Sequence, residues 1–207
     1  MHQRRCALLT IYYVAGTRAI RPVWLCEELQ IPYQREDISF DPEFRASAEW
    51  RSINPVGKVP AMRDGDLVLF ESCAMVQVIL DRYGNDQLEP KKGTDEHALM
   101  QQWSWFAEST LARPAGEIVN HQRVFGDDVV TKVVAEMKER VRLCLTAVDD
   151  AMIEKEFLLD FGFSTADINL GYSLHLASSY VDYDDLVNAR AYYERLAARP
   201  AFQKAVK

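Results

Sequence analysis

Two dipeptides carry the clearest chemistry in this sequence. Val59-Pro60 opens a strand-like run, VPAMR, a DG turn, then LVLF, with a residue that has no amide proton. A proline at the first rung of a ladder leaves that edge of backbone open to something other than a neighbouring strand. Glu71-Ser72 stands at the head of an apolar-periodic run. There Ser72 reads as a helix N-cap, and its hydroxyl together with the free N–H groups behind it suits a carboxylate. The four cysteines, Cys6, Cys26, Cys73 and Cys144, have no CxxC spacing and no histidine cluster, so no metal site is expected. Cys73 falls in a first helical turn, where thiol pKa values drop, but Ser72 takes the contacting position and Cys73 reads as packing sideways. Cys26 reads as buried and inert. His175, on an apolar helix without metal partners, reads as a core histidine, and Tyr12 and Tyr13 read as strand core.

Composition narrows the partners. The chain has 207 residues, with 24 Lys+Arg against 31 Asp+Glu, and its net charge of −7 disfavours nucleic acid or an anionic membrane surface. Scattered, unpaired cysteines fit a reducing compartment. The opening MHQRRCALLTIYYVAG has the charge order of a leader, but its β-formers and tyrosine pair read as a buried strand. No apolar run is long enough to span a membrane.

The elements that position these residues follow from periodicity. Ala7 to Tyr13 is a near-continuous apolar run, expected as a central strand covered on both faces. Residues 19–29 form a helix with Ile20, Val23 and Trp24 on one face. Pro22 must lie in its first turn, which leaves residues 16–20 as a wound loop. Residues 33–38 form a second strand and 42–52 a short or irregular helix. A hairpin of 60–63 and 67–70 turns at Asp64-Gly65. Val76, Ile79, Leu80 and Tyr83 mark the next helix, closed by Gly84. The order is β-α-β-α-β-β-α. Polar, breaker-rich NDQLEPKKG then reads as a linker, and beyond it only helical signals remain, over 95–119, 130–148, 165–180, 184–198 and a short helix after Pro200. FSTADI, residues 163–168, has Ser164 at N-cap and Asp167 at N3 of a helix apolar all round, expected to be central and buried.

The segments TRAIRPVWLCEEL (17–29), INPVGKVPAM (53–62), LFESCAMVQVIL (69–80), FSTADI and ERLAARPAF (194–202) together resemble the cytosolic glutathione S-transferases. The likeness is to bacterial and fungal-like members with a serine or threonine active site. It implies a thioredoxin-like α/β domain over 1–84, a linker over 85–93, and an all-α domain over 94–207 with a pocket for a hydrophobic electrophile. It implies a cis Val59-Pro60 bond that turns the Val59 N–H and C=O outward, so that glutathione docks as a short extra strand. Ser72 would hold the γ-glutamyl carboxylate, Glu71 would face its ammonium, and Lys58 would reach the ligand's backbone or glycine carboxylate. Arg45 and Arg51 are further candidates for that carboxylate. Thr17 occupies the catalytic position, where a hydroxyl aimed at the sulfur favours the thiolate, with Arg18 as a second candidate. Trp105 and Phe106, with Trp103, would line the electrophile pocket. Glutathione is a cosubstrate in this reading and no cofactor is implied. The resemblance also implies a cytoplasmic homodimer with a detoxifying transferase activity, with contacts through residues 73–82 and 95–119.

Threonine in place of the family's serine keeps the hydroxyl but adds a methyl and stiffens χ1. That departure leaves two other readings in view. One is glutathione-dependent disulfide or peroxide reduction, or dehalogenation. The other is a non-catalytic binding module that retains the fold.

Overall fold

The computed structural model describes residues 8–207, so Cys6 and the first residue of the expected opening strand lie outside the described part. Two compact units divide the chain: residues 1–87 with 200–207, and residues 88–199.

In the first unit, β1 (Leu9–Tyr13), α1 (Ile20–Leu29), β2 (Tyr33–Asp37), α2 (Pro42–Ala46), α3 (Ala48–Ile53), β3 (Ala61–Asp64), β4 (Leu67–Phe70) and α4 (Ser72–Tyr83) follow in order. The strands form one sheet, β2-β1-β3-β4, with β1 parallel to β2 and antiparallel to β3. β1 is central, as its near-continuous apolar run predicts: Leu9, Ile11, Tyr12 and Tyr13 are buried. Pro22 sits in the first turn of α1, where its missing N–H costs no helical bond. The single irregular helix expected over 42–52 is two. Ser47 leaves the helical region at ψ 146, and its side chain accepts from the Trp50 N–H to start α3. Asp64 pairs with Leu67, so the hairpin turns on Gly65 and Asp66 rather than on Asp64 and Gly65. Gly65, at φ 62, supplies the left-handed conformation that such a tight turn demands.

The helix from Pro200 to Ala205, here α10, belongs to this first unit. It packs on α1, with Phe202 edge-on to Trp24 at 4.8 Å. The Tyr13 hydroxyl donates to the Ala205 carbonyl at 2.8 Å, and Lys204 pairs with Glu27 at 2.9 Å. The sequence boundary that assigned 94–207 to one helical domain is revised accordingly. Its last turn carries the apolar residues that cover α1, and periodicity alone does not say which partner a short helix covers.

The second unit contains α5 (Asp95–Trp105), α6 (Ala112–Phe125), α7 (Thr131–Ala151), α8 (Thr165–Ala177) and α9 (Val187–Ala197). A π-helical turn over Phe106–Leu111 joins α5 to α6, so the expected 95–119 helix is interrupted. At the start of α7, Val130 and Val133 are exposed, whereas Val141, Cys144, Leu145 and Val148 further along are buried. α8 is the centre of the unit: every residue from Thr165 to Leu174 is buried. Its start is held by Asp167, which accepts from the Ser164 amide at 2.8 Å and the Ser164 hydroxyl at 3.0 Å. The same carboxylate accepts from the Leu158 amide at 3.1 Å and the Tyr192 hydroxyl at 2.7 Å. Burial pushes the Asp167 carboxyl above its ordinary range, and these donors pull it back only in part.

Asp167→Ala leaves the four donors of this buried cluster without their acceptor. Loss of at least about 3 kcal/mol is expected, read as a lower urea midpoint at constant m-value.

Candidate functional site

The sheet register gathers the candidate residues at one end. Tyr12, near the exit of β1, pairs with Ala61 at the entry of β3, and Ala61 pairs with Phe70 at the exit of β4. The Val14–Thr17 loop, the Lys58-Val59-Pro60 segment and Glu71-Ser72 therefore all emerge at the same end of the sheet. All lie within the first unit.

The segment before β3 is built around Asn54, a polar side chain only 1% exposed. Its amide donates to the Lys58 carbonyl at 2.8 Å and points a longer 3.5 Å contact at the Pro60 carbonyl, while its oxygen accepts from the Val56 N–H at 3.2 Å. Asn54 thus clamps the carbonyls on either side of Val59. The Val59-Pro60 bond is cis. Among the described residues, the Val59 N–H and C=O make no hydrogen bond, and Val59 lies outside the β3 ladder, which begins at Ala61. The Val59 side chain packs instead against Tyr12, Trp50 and Ala61, which anchors the strip from below. Gly57 makes this loop possible. It sits at φ 62, and a Cβ there would lie 2.4 Å from the Arg45 carbonyl oxygen.

At the exit of β4, the structure places the cap one residue earlier than the sequence suggests. Glu71 is the N-cap, and Ser72 is the first helical residue of α4. The reason is backbone shape: Glu71 adopts φ 82 and ψ 105, a region a non-glycine residue enters at a cost of about 1–3 kcal/mol. That conformation turns the chain sharply from sheet to helix, leaving Glu71 exposed and Ser72 buried. The first turn of α4 carries no acidic residue, so its positive end is not neutralised from within. Ser72 Oγ accepts from an Nη of Arg21, on α1, at 3.0 Å. Arg21 is fully buried.

Thr17 is half-buried at the mouth of the loop. Its hydroxyl donates to the Val14 carbonyl at 2.7 Å and accepts from the Ala19 N–H at 3.3 Å. A hydroxyl has one proton, so in this arrangement Thr17 closes a local turn. Donation to a sulfur requires the hydroxyl proton to turn away from Val14, at about 0.5–1.5 kcal/mol for the bond given up. Arg18 is half-buried beside it, and Lys58 is exposed.

The remaining candidates are distributed as follows. Arg45 stacks its guanidinium over Phe40 at 4.7 Å, with a buried Nε that has no partner among the described residues. Arg51 is exposed. In the second unit, Trp105 is 65% exposed, and Phe106 meets the Trp103 ring edge-on at 5.2 Å. His175 is half-buried, its Nδ1 2.8 Å from the Tyr193 hydroxyl, with its pKa lowered by burial. Cys26 is buried, which drives its thiol pKa far up and makes it inert. Tyr12 is core, edge-on to Trp50 at 5.4 Å. Among the described residues no cluster of His, Cys, Asp or Glu could hold a metal, and no helix is long and apolar enough to cross a membrane.

Two residues escaped the sequence reading. Asn54 lies inside the quoted INPVGKVPAM, but burial of an asparagine has no local signature. Arg21 did leave a signal: it interrupts the apolar stretch Ile20, Val23, Trp24, Leu25 on the inner side of a helix.

Comparison with known proteins gives the family of this chain. Residues 8–81 match the family model "Glutathione S-transferase, N-terminal domain". "Glutathione S-transferase 1" of Triticum aestivum is 28% identical over 206 residues, covering 92% of this chain and 90% of that protein. "Glutathione S-transferase" of Hyoscyamus muticus is 30% identical over 164 residues, covering 75% and 77%. The crystal structure of the glutathione transferase URE2P8 from Phanerochaete chrysosporium, determined with oxidized glutathione, superposes with a TM-score of 0.87 at 20% identity, covering 99% of this chain and 95% of that one. The chain belongs to the cytosolic glutathione S-transferase family.

Gly57→Ala meets both the positive φ and the Arg45 carbonyl. A stability loss of about 2 kcal/mol or more is expected by thermal unfolding. Asn54→Ala releases the Lys58 and Pro60 carbonyls, and should weaken glutathione retention more than it lowers the melting temperature.

Proposed function

We propose that this chain is a glutathione transferase that binds glutathione along Val59 and joins its sulfur to a hydrophobic electrophile. The observation that carries this reading is the open Val59 N–H and C=O, with Ser72 and the start of α4 at the same end of the sheet. A tripeptide supplies the matching main-chain donor and acceptor, and its γ-glutamyl carboxylate meets Ser72 and the helix end. Glu71, exposed, faces the ligand's ammonium. Lys58, exposed, reaches toward the ligand's backbone or glycine carboxylate.

The chemistry asked of the site is modest. A free thiol near pKa 8.5 is mostly protonated at neutral pH, and the thiolate is the nucleophile. In this reading Thr17 swings from the Val14 carbonyl to the sulfur, with Arg18 adding positive charge. The thiol proton leaves to solvent. With a chloronitrobenzene, the thiolate attacks the ring carbon, a C–S bond forms and chloride departs. Trp105 and Phe106 are the proposed apolar contacts of the electrophile. The working form is a cytoplasmic homodimer that detoxifies such electrophiles, with α4 and the α5–α6 run as contacts.

A second reading is favoured by one feature, the engagement of the Thr17 hydroxyl with Val14. A weakly activated thiol suits reduction of a disulfide, in which a first glutathione attacks a sulfur and a second releases the product as glutathione disulfide. A relative of the same fold was crystallised with oxidized glutathione.

Retention on immobilised glutathione tests binding, and turnover of a chloronitrobenzene against a disulfide substrate separates the two readings. For Thr17→Ala, the pH profile of kcat/KM decides the residue's role. Loss of the donor raises the bound thiol's pKa, so the rising limb should move to higher pH by about one unit, with about a tenfold loss at pH 7. An unmoved limb would leave Thr17 as a turn residue only.

A further inference from the structure

We propose that Arg21 is a positioning residue of the glutathione site, acting through Ser72. This rests on the functional reading above and names what makes Ser72 a donor.

A guanidinium has only donors. The 3.0 Å contact from Arg21 therefore fixes Ser72 Oγ as the acceptor and occupies one of its lone pairs. Among the described residues the Ser72 hydroxyl gives its own proton to no acceptor, so that proton remains for a ligand. Without Arg21 the usual habit of a first-turn serine, a bond within its own helix, would compete. Arg21 supplies rigidity as well. It is 0% exposed, on a helix whose Ile20, Val23, Trp24 and Leu25 are also buried and which packs against α4. A planar, pre-organised donor in that setting loses little entropy on binding. The third contribution is charge. A buried cation beside the first residue of α4 adds to the positive end of that helix, whose first turn carries no carboxylate. Hydroxyl direction, rigidity and potential all favour one chemistry at this point, a carboxylate, and in glutathione that group is the α-carboxylate of the γ-glutamyl residue.

The role differs from a merely structural one in what it discriminates. Calorimetry with two probes separates them: glutathione, and the analogue 4-aminobutyryl-Cys-Gly, which lacks the α-carboxylate and keeps the ammonium. Arg21→Gln should weaken glutathione binding about tenfold while leaving the analogue within about twofold of wild type. kcat at saturating glutathione should hold within about threefold, with the loss in KM. Ser72→Ala should weaken glutathione similarly, and adding Arg21→Gln to it should cost much less than the product of the two single losses. Arg21→Lys, which keeps the charge and one donor, should fall between wild type and Arg21→Gln, and it decides the matter if the glutamine variant does not fold. Equal loss for both probes, independent multiplication with Ser72→Ala, or wild-type affinity in a folded lysine or glutamine variant each overturn the role of Arg21. Failure of the wild-type protein to bind glutathione would instead contradict the functional reading itself.

Discussion

A backbone amide and carbonyl without partners are a standing cost to a folded chain, because such groups are nearly always satisfied. At Val59 this chain carries one such pair, among the described residues, just before the first paired residue of β3. The surrounding structure is arranged to keep that pair open and still. Asn54 clamps the carbonyls before and after it, the Val59 side chain is sunk against Trp50 and Tyr12, and Gly57 permits the close pass over Arg45. Each contact restrains the loop without occupying the two groups that a peptide would use.

The same end of the sheet gathers a second kind of recognition. The sharp turn at Glu71 starts α4, whose first turn carries no acidic residue, and Arg21 reaches from α1 to hold Ser72. In the proposed reading, main-chain pairing along Val59 recognises a peptide, and the helix end with its buried arginine recognises a carboxylate. The sulfur's environment is less specialised. Thr17 gives its proton to Val14, so activation of a thiol competes with a bond already made.

Local sequence rules located much of this. The DG hairpin, the β1 core run, the Ser164–Asp167 cap and the buried α8 were legible because each depends on neighbours within a few residues. The fold class and the family followed from motifs spread along the chain. Other features were not legible, for physical reasons. Glu71 rather than Ser72 caps α4 because a strained glutamate backbone overrides cap preference. Ser47 divides one expected helix into two, since its side chain caps the second. α10 covers α1 through a 4.8 Å ring contact between residues far apart in sequence. Asn54 and Arg21 act through burial, which is set by tertiary packing.

The central claim is that the Val59 main chain is held open for a ligand's own backbone. Hydrogen exchange of the Val59 amide, followed by NMR with and without glutathione, tests it most directly. Exchange that is fast in the free protein and slows markedly on saturation with glutathione is the result expected. An amide already protected in the free protein, or one whose exchange is unchanged by saturating glutathione, would contradict it.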